Sequence, residues 1–176
     1  METIRTWLHS RTAGEVMTRK VLCLRDTDLL GDAISLFVRE QISGAPVVDE
    51  DGVCVGVLSA RDVLTFDEKY AEAAVAAGCS KRSRKPFDVF DPGSEWWLEF
   101  GRVREEIEPK LGESVSDHMT RDIVGVTKET PMIVVLRQMI DAHLHRILVL
   151  DAGRRICGIV TTTDVIAALL RAGRGQ

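Results

Sequence analysis

Aromatic side chains are scarce in this sequence, which holds three tryptophans, five phenylalanines and one tyrosine among 176 residues. A core therefore has to be assembled from Val, Ile, Leu and Ala, and 45% hydrophobic residues suffice for one ordinary core or two small repeated ones. Basic charge is not in excess. The formal net charge of −4 argues against sequence-independent nucleic-acid binding, which needs a basic footprint. No apolar run approaches the roughly 18 residues of a membrane span, and the opening METIRTWLHSRTAG has no signal-peptide core. The expectation is a cytoplasmic chain with neither nucleic acid nor membrane as partner.

Clustered cysteines are absent as well. The four cysteines lack a C-x-x-C pair or any Cys/His spacing typical of zinc. Cys23, Cys54 and Cys157 lie in apolar strand patterns and are expected to be buried small hydrophobes. Cys79 stands beside Lys81, Arg82, Arg84 and Lys85, whose charge would lower a thiol pKa, although a solvated loop cysteine is the plainer reading. His143 and His145 lack a third ligand at a telling distance, so no metal site is expected. Nor does the chain show a nucleophile elbow, a P-loop lysine or paired carboxylates in a pocket-like context. An enzyme is not expected.

What the sequence does contain, it contains twice. Gly56 to Val63, GVLSARDV, recurs 102 positions later as Gly158 to Val165, GIVTTTDV. Residues 13–66 align with 115–168 without a gap, pairing Met17 with Met119, Thr18 with Thr120, Arg19 with Arg121, Val47 with Val149, and Asp49 with Asp151. Within the first copy, Val21 to Leu24 reads as a strand and Leu29 to Glu40 as a helix with an apolar face. Ala45 to Val48 and Val53 to Leu58 read as strands around the turn at 49–52, and a helix starts near Ala60. The second copy repeats this with strands at Ile123 to Val126, Arg146 to Leu150 and Ile156 to Val160. Its helices run from Met132 to His143 and onward to about Leu170. Each copy is thus a β-α-β-β-α unit in an α+β fold, too small to cover its own core well, so the two are expected to pack together.

The outer boundaries follow. Residues 1–12 place Ile4, Trp7 and Leu8 on one helical face; 13–66 and 115–170 are the repeats; 67–114 is a connector; 171–176 is a tail. In the connector, Asp67 to Ala77 is Ala-rich and helical, and Trp96, Phe100, Val103, Ile107 and Leu111 trace a second apolar face that Trp97 leaves.

The repeated junction of strand, hydroxyl residue and helix start has chemistry of its own. The first amides of a helix have no partner within it and carry partial positive charge, which favours an anion. Ser59 or Thr161 can offer a hydroxyl to phosphate, and Asp62 or Asp164 can accept from a ribose diol. A plainer alternative stands beside this one: a hydroxyl followed three residues later by an acid is close to a capping box, in which the two side chains satisfy the helix itself.

Those residues also carry a family resemblance. ISGAPVVDEDGVCVGVLSARDV and HLHRILVLDAGRRICGIVTTTDV, each preceded by Met-Thr, a strand and a helix, resemble a pair of CBS domains, named after cystathionine beta-synthase. The resemblance implies a Bateman module: tandem repeats related by a pseudo-twofold axis, with two clefts between them, commonly joined in a flat homodimer. It also implies binding of AMP, ADP, ATP (Mg with ATP) or another adenosyl ligand, relayed to a regulated protein. The second repeat resembles the nucleotide-binding repeats of the AMP-activated protein kinase gamma subunit. By that likeness Asp164 would hold the ribose, Thr161 and Thr163 would face phosphate, Arg146 would clamp it bidentately, and His145 would add a donor. Adenine would lie against Val124 with Ile147, or against Ala45, Pro46 and Val47. The first repeat has Gly44 where the second has Arg146, so Ser59 and Asp62 would depend on Arg61 for a phosphate clamp. Small CBS-pair proteins of plants, similar in having an aromatic helix in the connector, imply the other reading. In that one the chain is an interaction scaffold modulating a thioredoxin-type partner, with clefts empty or holding S-adenosylmethionine.

Overall fold

The computed structural model describes residues 4–64 and 110–173, and elements are numbered over those residues. The first half contains α1 (Ile4–Ser10), α2 (Ala13–Val16), β1 (Leu24–Arg25), α3 (Leu30–Glu40), β2 (Gly44–Val48), β3 (Cys54–Ser59) and α4 (Ala60–Leu64). The second contains α5 (Val115–His118), β4 (Gly125–Val126), α6 (Met132–Asp141), β5 (Arg146–Leu150), β6 (Ile156–Thr161) and α7 (Thr162–Gly173). The connector features at Asp67 to Ala77, Cys79, the basic cluster and Trp96 to Ile107 lie outside the described residues.

Two three-stranded sheets result, ordered β1-β2-β3 and β4-β5-β6. In each, the first two strands are parallel, with Leu24 opposite Val47 and Gly125 opposite Leu148. Parallel neighbours need a crossover, which α3 and α6 supply. Their apolar spacing dictates what they bury: Leu30, Ala33 and Phe37 on α3, Met132, Val135 and Met139 on α6. Both helices stop at a residue forced into the left-handed region, Gln41 and His143, each with φ of 53°. His143 thus serves the local turn.

The compact units do not coincide with the sequence repeats. Of the described residues, 4–22, 51–54 and 123–173 form one unit, and 23–50, 55–64 and 110–122 form the other. The stretch before each repeat folds onto the other repeat's body. The Met132 amide at the start of α6 donates to the Arg11 carbonyl (2.8 Å), and the Leu30 amide at the start of α3 donates to Glu113 (3.0 Å). Helix starts that lack side-chain caps are satisfied this way by distant backbone. Farther along, Thr18 exchanges backbone hydrogen bonds with Ile159, and Thr120 with Val57.

Each unit has its own core. One gathers Trp7, Met17, Met132, Val135, Ile147, Val149 and Val160; the other gathers Leu30, Phe37, Ala45, Val47, Leu58, Val115 and Met119. With few aromatics, methionines from the exchanged stretches close both. A Cβ at Gly158 would lie 2.5 Å from the Met17 sulfur and 2.9 Å from the Thr18 carbonyl oxygen, and one at Gly56 would meet Met119 and Thr120 at 2.5 and 3.0 Å. Glycine is required there because another backbone lies on the strand.

Two expectations change. The strands expected at Val21 to Leu24 and Ile123 to Val126 are reduced to Leu24–Arg25 and Gly125–Val126. The residues before them run from one unit to the other, since the boundary falls after Leu22 and after Asp122, and cannot pair throughout. Cys23 lies in this crossing and is exposed; Cys54 is buried as expected and Cys157 partly so. Among the described residues no helix is long and apolar enough to cross a membrane.

Candidate functional site

At the junction of β6 and α7, Asp164 divides its carboxylate. Oδ2 accepts from the Thr161 amide (2.8 Å) and the Thr161 hydroxyl (2.6 Å), while the Asp164 amide donates back to Thr161 Oγ1 (3.1 Å). That is the reciprocal pattern of a capping box. Oδ1 is left for something else, and it accepts from the Thr18 hydroxyl at 3.1 Å, across 146 residues of chain. The β3–α4 junction repeats the arrangement. Asp62 Oδ2 accepts from the Ser59 amide and hydroxyl, both at 2.7 Å, and Oδ1 faces the Thr120 hydroxyl at 3.4 Å.

The plainer reading of these acids thus accounts for one oxygen of each. Oδ2 is spent on the helix. Oδ1, in a half-buried residue beside an exposed threonine, keeps lone-pair capacity for a second donor. The expected cluster of unpaired helix amides is a correction. The Thr162 amide donates to the His145 carbonyl at 3.1 Å, and the Asp164 amide is taken by Thr161. An anion there would depend on side chains more than on backbone. The hydroxyl protons of Thr161 and Ser59 are likewise committed to their aspartates.

Other predicted residues fall as follows. Arg146 opens β5 with its Cα opposite Thr161, and Thr163 is exposed in the first turn of α7. Arg146 is exposed as a residue, yet protein packed around its guanidinium lowers its pKa from the ordinary arginine value; it stays protonated at neutral pH. His145 precedes it, half-buried. The residues expected to wall an adenine differ in exposure. Ile147, 1% exposed, and Ala45, 2% exposed, point into the cores, as does Val47, and Pro46 is buried too. Val124, 38% exposed, is the one of these five that reaches solvent. Arg61 lies in the first turn of α4.

Thr18 and Thr120 are the residues that sequence reasoning missed. The signal was the Met-Thr identity at both copies. Its meaning required knowing that each threonine serves the aspartate of the other repeat.

A family model described as the CBS domain matches residues 13–69 and 115–171. The chain belongs to the CBS domain family. As a CBS pair it is 27% identical over 165 residues to the chloroplastic CBS domain-containing protein CBSX2 of Arabidopsis thaliana, covering 93% of this chain and 65% of that protein. It is also 28% identical over 156 residues to MJ1426 of Methanocaldococcus jannaschii, covering 89% of both. The chain thus spans just under two thirds of CBSX2. Among solved structures, CBSX2 in complex with AMP superposes with a TM-score of 0.65 at 24% identity, covering 94% of this chain and all of that one. The CBS pair of MJ0100, in complex with 5′-methylthioadenosine and S-adenosyl-L-methionine, gives 0.57 at 18% identity, covering 93% and 98%. At these identities the likeness establishes the fold, that of a tandem CBS module.

Proposed function

We propose that this CBS pair is a non-catalytic regulatory module that binds an adenine nucleotide at the Asp164 site and passes its presence to a partner protein. The observation that carries the reading is the division of labour in Asp164: one oxygen anchors the helix, the other is held beside Thr18 where a ribose hydroxyl can donate to it. Arg146 supplies charge for a phosphate tail and Thr163 a hydroxyl. CBSX2 in complex with AMP and MJ0100 in complex with adenosyl compounds support the ligand class. A ribose hydroxyl donating to Oδ1 would share that oxygen with Thr18, so occupancy bears on the stretch that leads back through α2 to α1. That is a means of relaying the signal.

Exposed apolar residues on α6 and α7, Ile140 at 71%, Ile166 at 59% and Leu170 at 60%, support a further part of the reading, pairing of two copies. Sedimentation of Ile166→Glu/Leu170→Glu against wild type tests it, and an unchanged dimer or an all-monomer wild type removes it.

Nucleotide binding is tested by thermal denaturation with AMP. At about 100 times its Kd, a ligand specific to the native state stabilises by about 2.7 kcal/mol. Asp164→Ala should remove the shift at the same AMP concentration, and Arg146→Ala should cut it by about half or more. A shift that survives both substitutions would assign the nucleotide elsewhere.

A further inference from the structure

We propose that the two sites take adenosyl ligands of different tail chemistry: a phosphorylated one at Asp164, and one without phosphate at Asp62. This rests on reading both as adenosyl sites, and the grounds are the differences at equivalent positions. Arg146 corresponds to Gly44, and a Cβ at Gly44 would stand 2.8 Å from the Leu58 carbonyl oxygen and 3.0 Å from the Ser59 Cα. Both are backbone atoms of β3, so no rotamer relieves the clash, and the Asp62 site cannot carry a guanidinium at that position. Lys20, two residues beyond Thr18, corresponds to Asp122, two residues beyond Thr120, and both are exposed.

The neighbouring arginines do not separate the sites. Arg19 donates to the Gly14 carbonyl at 3.3 Å and Arg121 to the Ser116 carbonyl at 3.1 Å, each turned back on the helix before it. By formal charge in the sequence at the remaining matched positions, Lys20, Arg146, Thr163 and Asp164 sum to +1, whereas Asp122, Gly44, Arg61 and Asp62 sum to −1. A phosphate monoester, carrying about −1.5 to −2 at neutral pH, meets attraction at one site and repulsion at the other. The two copies kept the acid and the threonine that suit a ribose and diverged where a tail would lie. A two-charge difference facing a dianion corresponds to about tenfold or more in affinity.

Calorimetric titration of the full chain with AMP, then with adenosine, tests this. AMP should saturate at one equivalent per chain, and the AMP-saturated protein should take up one further equivalent of adenosine. Arg146→Ala should weaken AMP at least tenfold while the Asp62 site still takes adenosine. Asp62→Ala should remove that adenosine equivalent and leave AMP binding in place. Because Asp62→Ala also removes a helix cap, the surface variant Asp122→Lys provides the independent arm, and it should admit a second equivalent of AMP. Two AMP equivalents of equal affinity in the wild type, or AMP binding lost in Asp62→Ala but kept in Asp164→Ala, would overturn the assignment. Uptake of neither AMP nor adenosine overturns the adenosyl reading itself, and this assignment with it.

Discussion

In one unit the Thr18 hydroxyl reaches Asp164 at 3.1 Å; in the other, Thr120 reaches Asp62 at 3.4 Å. Both aspartates close a capping box, both crossover helices are followed by a left-handed residue, and the third strand of each sheet has a glycine covered by a methionine. The units differ where side chains leave the backbone frame: Arg146 against Gly44 and Lys20 against Asp122. Duplication has preserved what the backbone needs, because a lost cap or an added Cβ destabilises the whole unit. Positions facing solvent or a ligand carry no such penalty and have diverged. The comparison separates the residues that hold the fold from those free to vary.

The sharpest way to break that comparison is in the core. Ile147→Ala should destabilise by about 2–5 kcal/mol through lost burial and a cavity, and Ala45→Ile in the other unit by about 1–3 kcal/mol through overpacking; urea denaturation measures both. If Ile147→Ala weakened AMP binding while leaving stability unchanged, Ile147 would be a ligand wall and not a core residue.

Next come the glycines under the exchanged stretches. Gly158→Ala and Gly56→Ala should each cost about 1–3 kcal/mol, since the added Cβ meets a backbone carbonyl at 2.9 or 3.0 Å as well as a flexible methionine. Similar losses in the two variants are expected from the shared geometry. A loss confined to one would show that the exchanged stretches are held unequally. Removing the threonine contacts is milder: Thr18→Val and Thr120→Val should each cost about 0.5–1.5 kcal/mol, Thr18→Val the more, because its hydrogen bond is the shorter. Chemical denaturation reads the difference, and the reverse order would contradict the geometry.

The smallest effect distinguishes the short helices α2 and α5. Glu15 accepts from the Thr12 amide at 2.8 Å; that hydrogen bond, with Arg11 beside it, lowers its pKa from the ordinary 4.5. A depressed carboxylate stabilises the fold above its unfolded value, and the contribution is lost as pH falls through the folded one. Glu15→Gln should therefore lower the melting temperature at neutral pH and flatten its decline below about pH 4.5, where variant and wild type converge, and only slightly, because the group is exposed. α5 is capped instead by the Ser114 hydroxyl, which accepts from the Ser116 amide at 3.3 Å. Ser114→Ala should thus lower stability equally at both pH values.

Much of this was legible in the sequence because it is local. The 102-residue offset, Ala33 and Phe37 on one helical face, the bounds of β5 and the S/T-x-x-D junctions can be read from the sequence by spacing alone, whereas the face begins at Leu30 and not at Leu29, which is 44% exposed. Burial of Ile147 was harder to read, since a strand with three buried residues in succession, Ile147, Leu148 and Val149, shows no alternation that separates its two faces. Only the tertiary structure decided that residues 11–18 serve the second repeat and 113–120 the first. Two copies that share the Met-Thr, Gly and Asp positions offer each Met-Thr stretch two similar docking places, and no local pattern distinguishes them. The choice is made by the path of the chain, which brings Thr18 to an aspartate 146 residues away and so completes a site whose parts the sequence keeps apart.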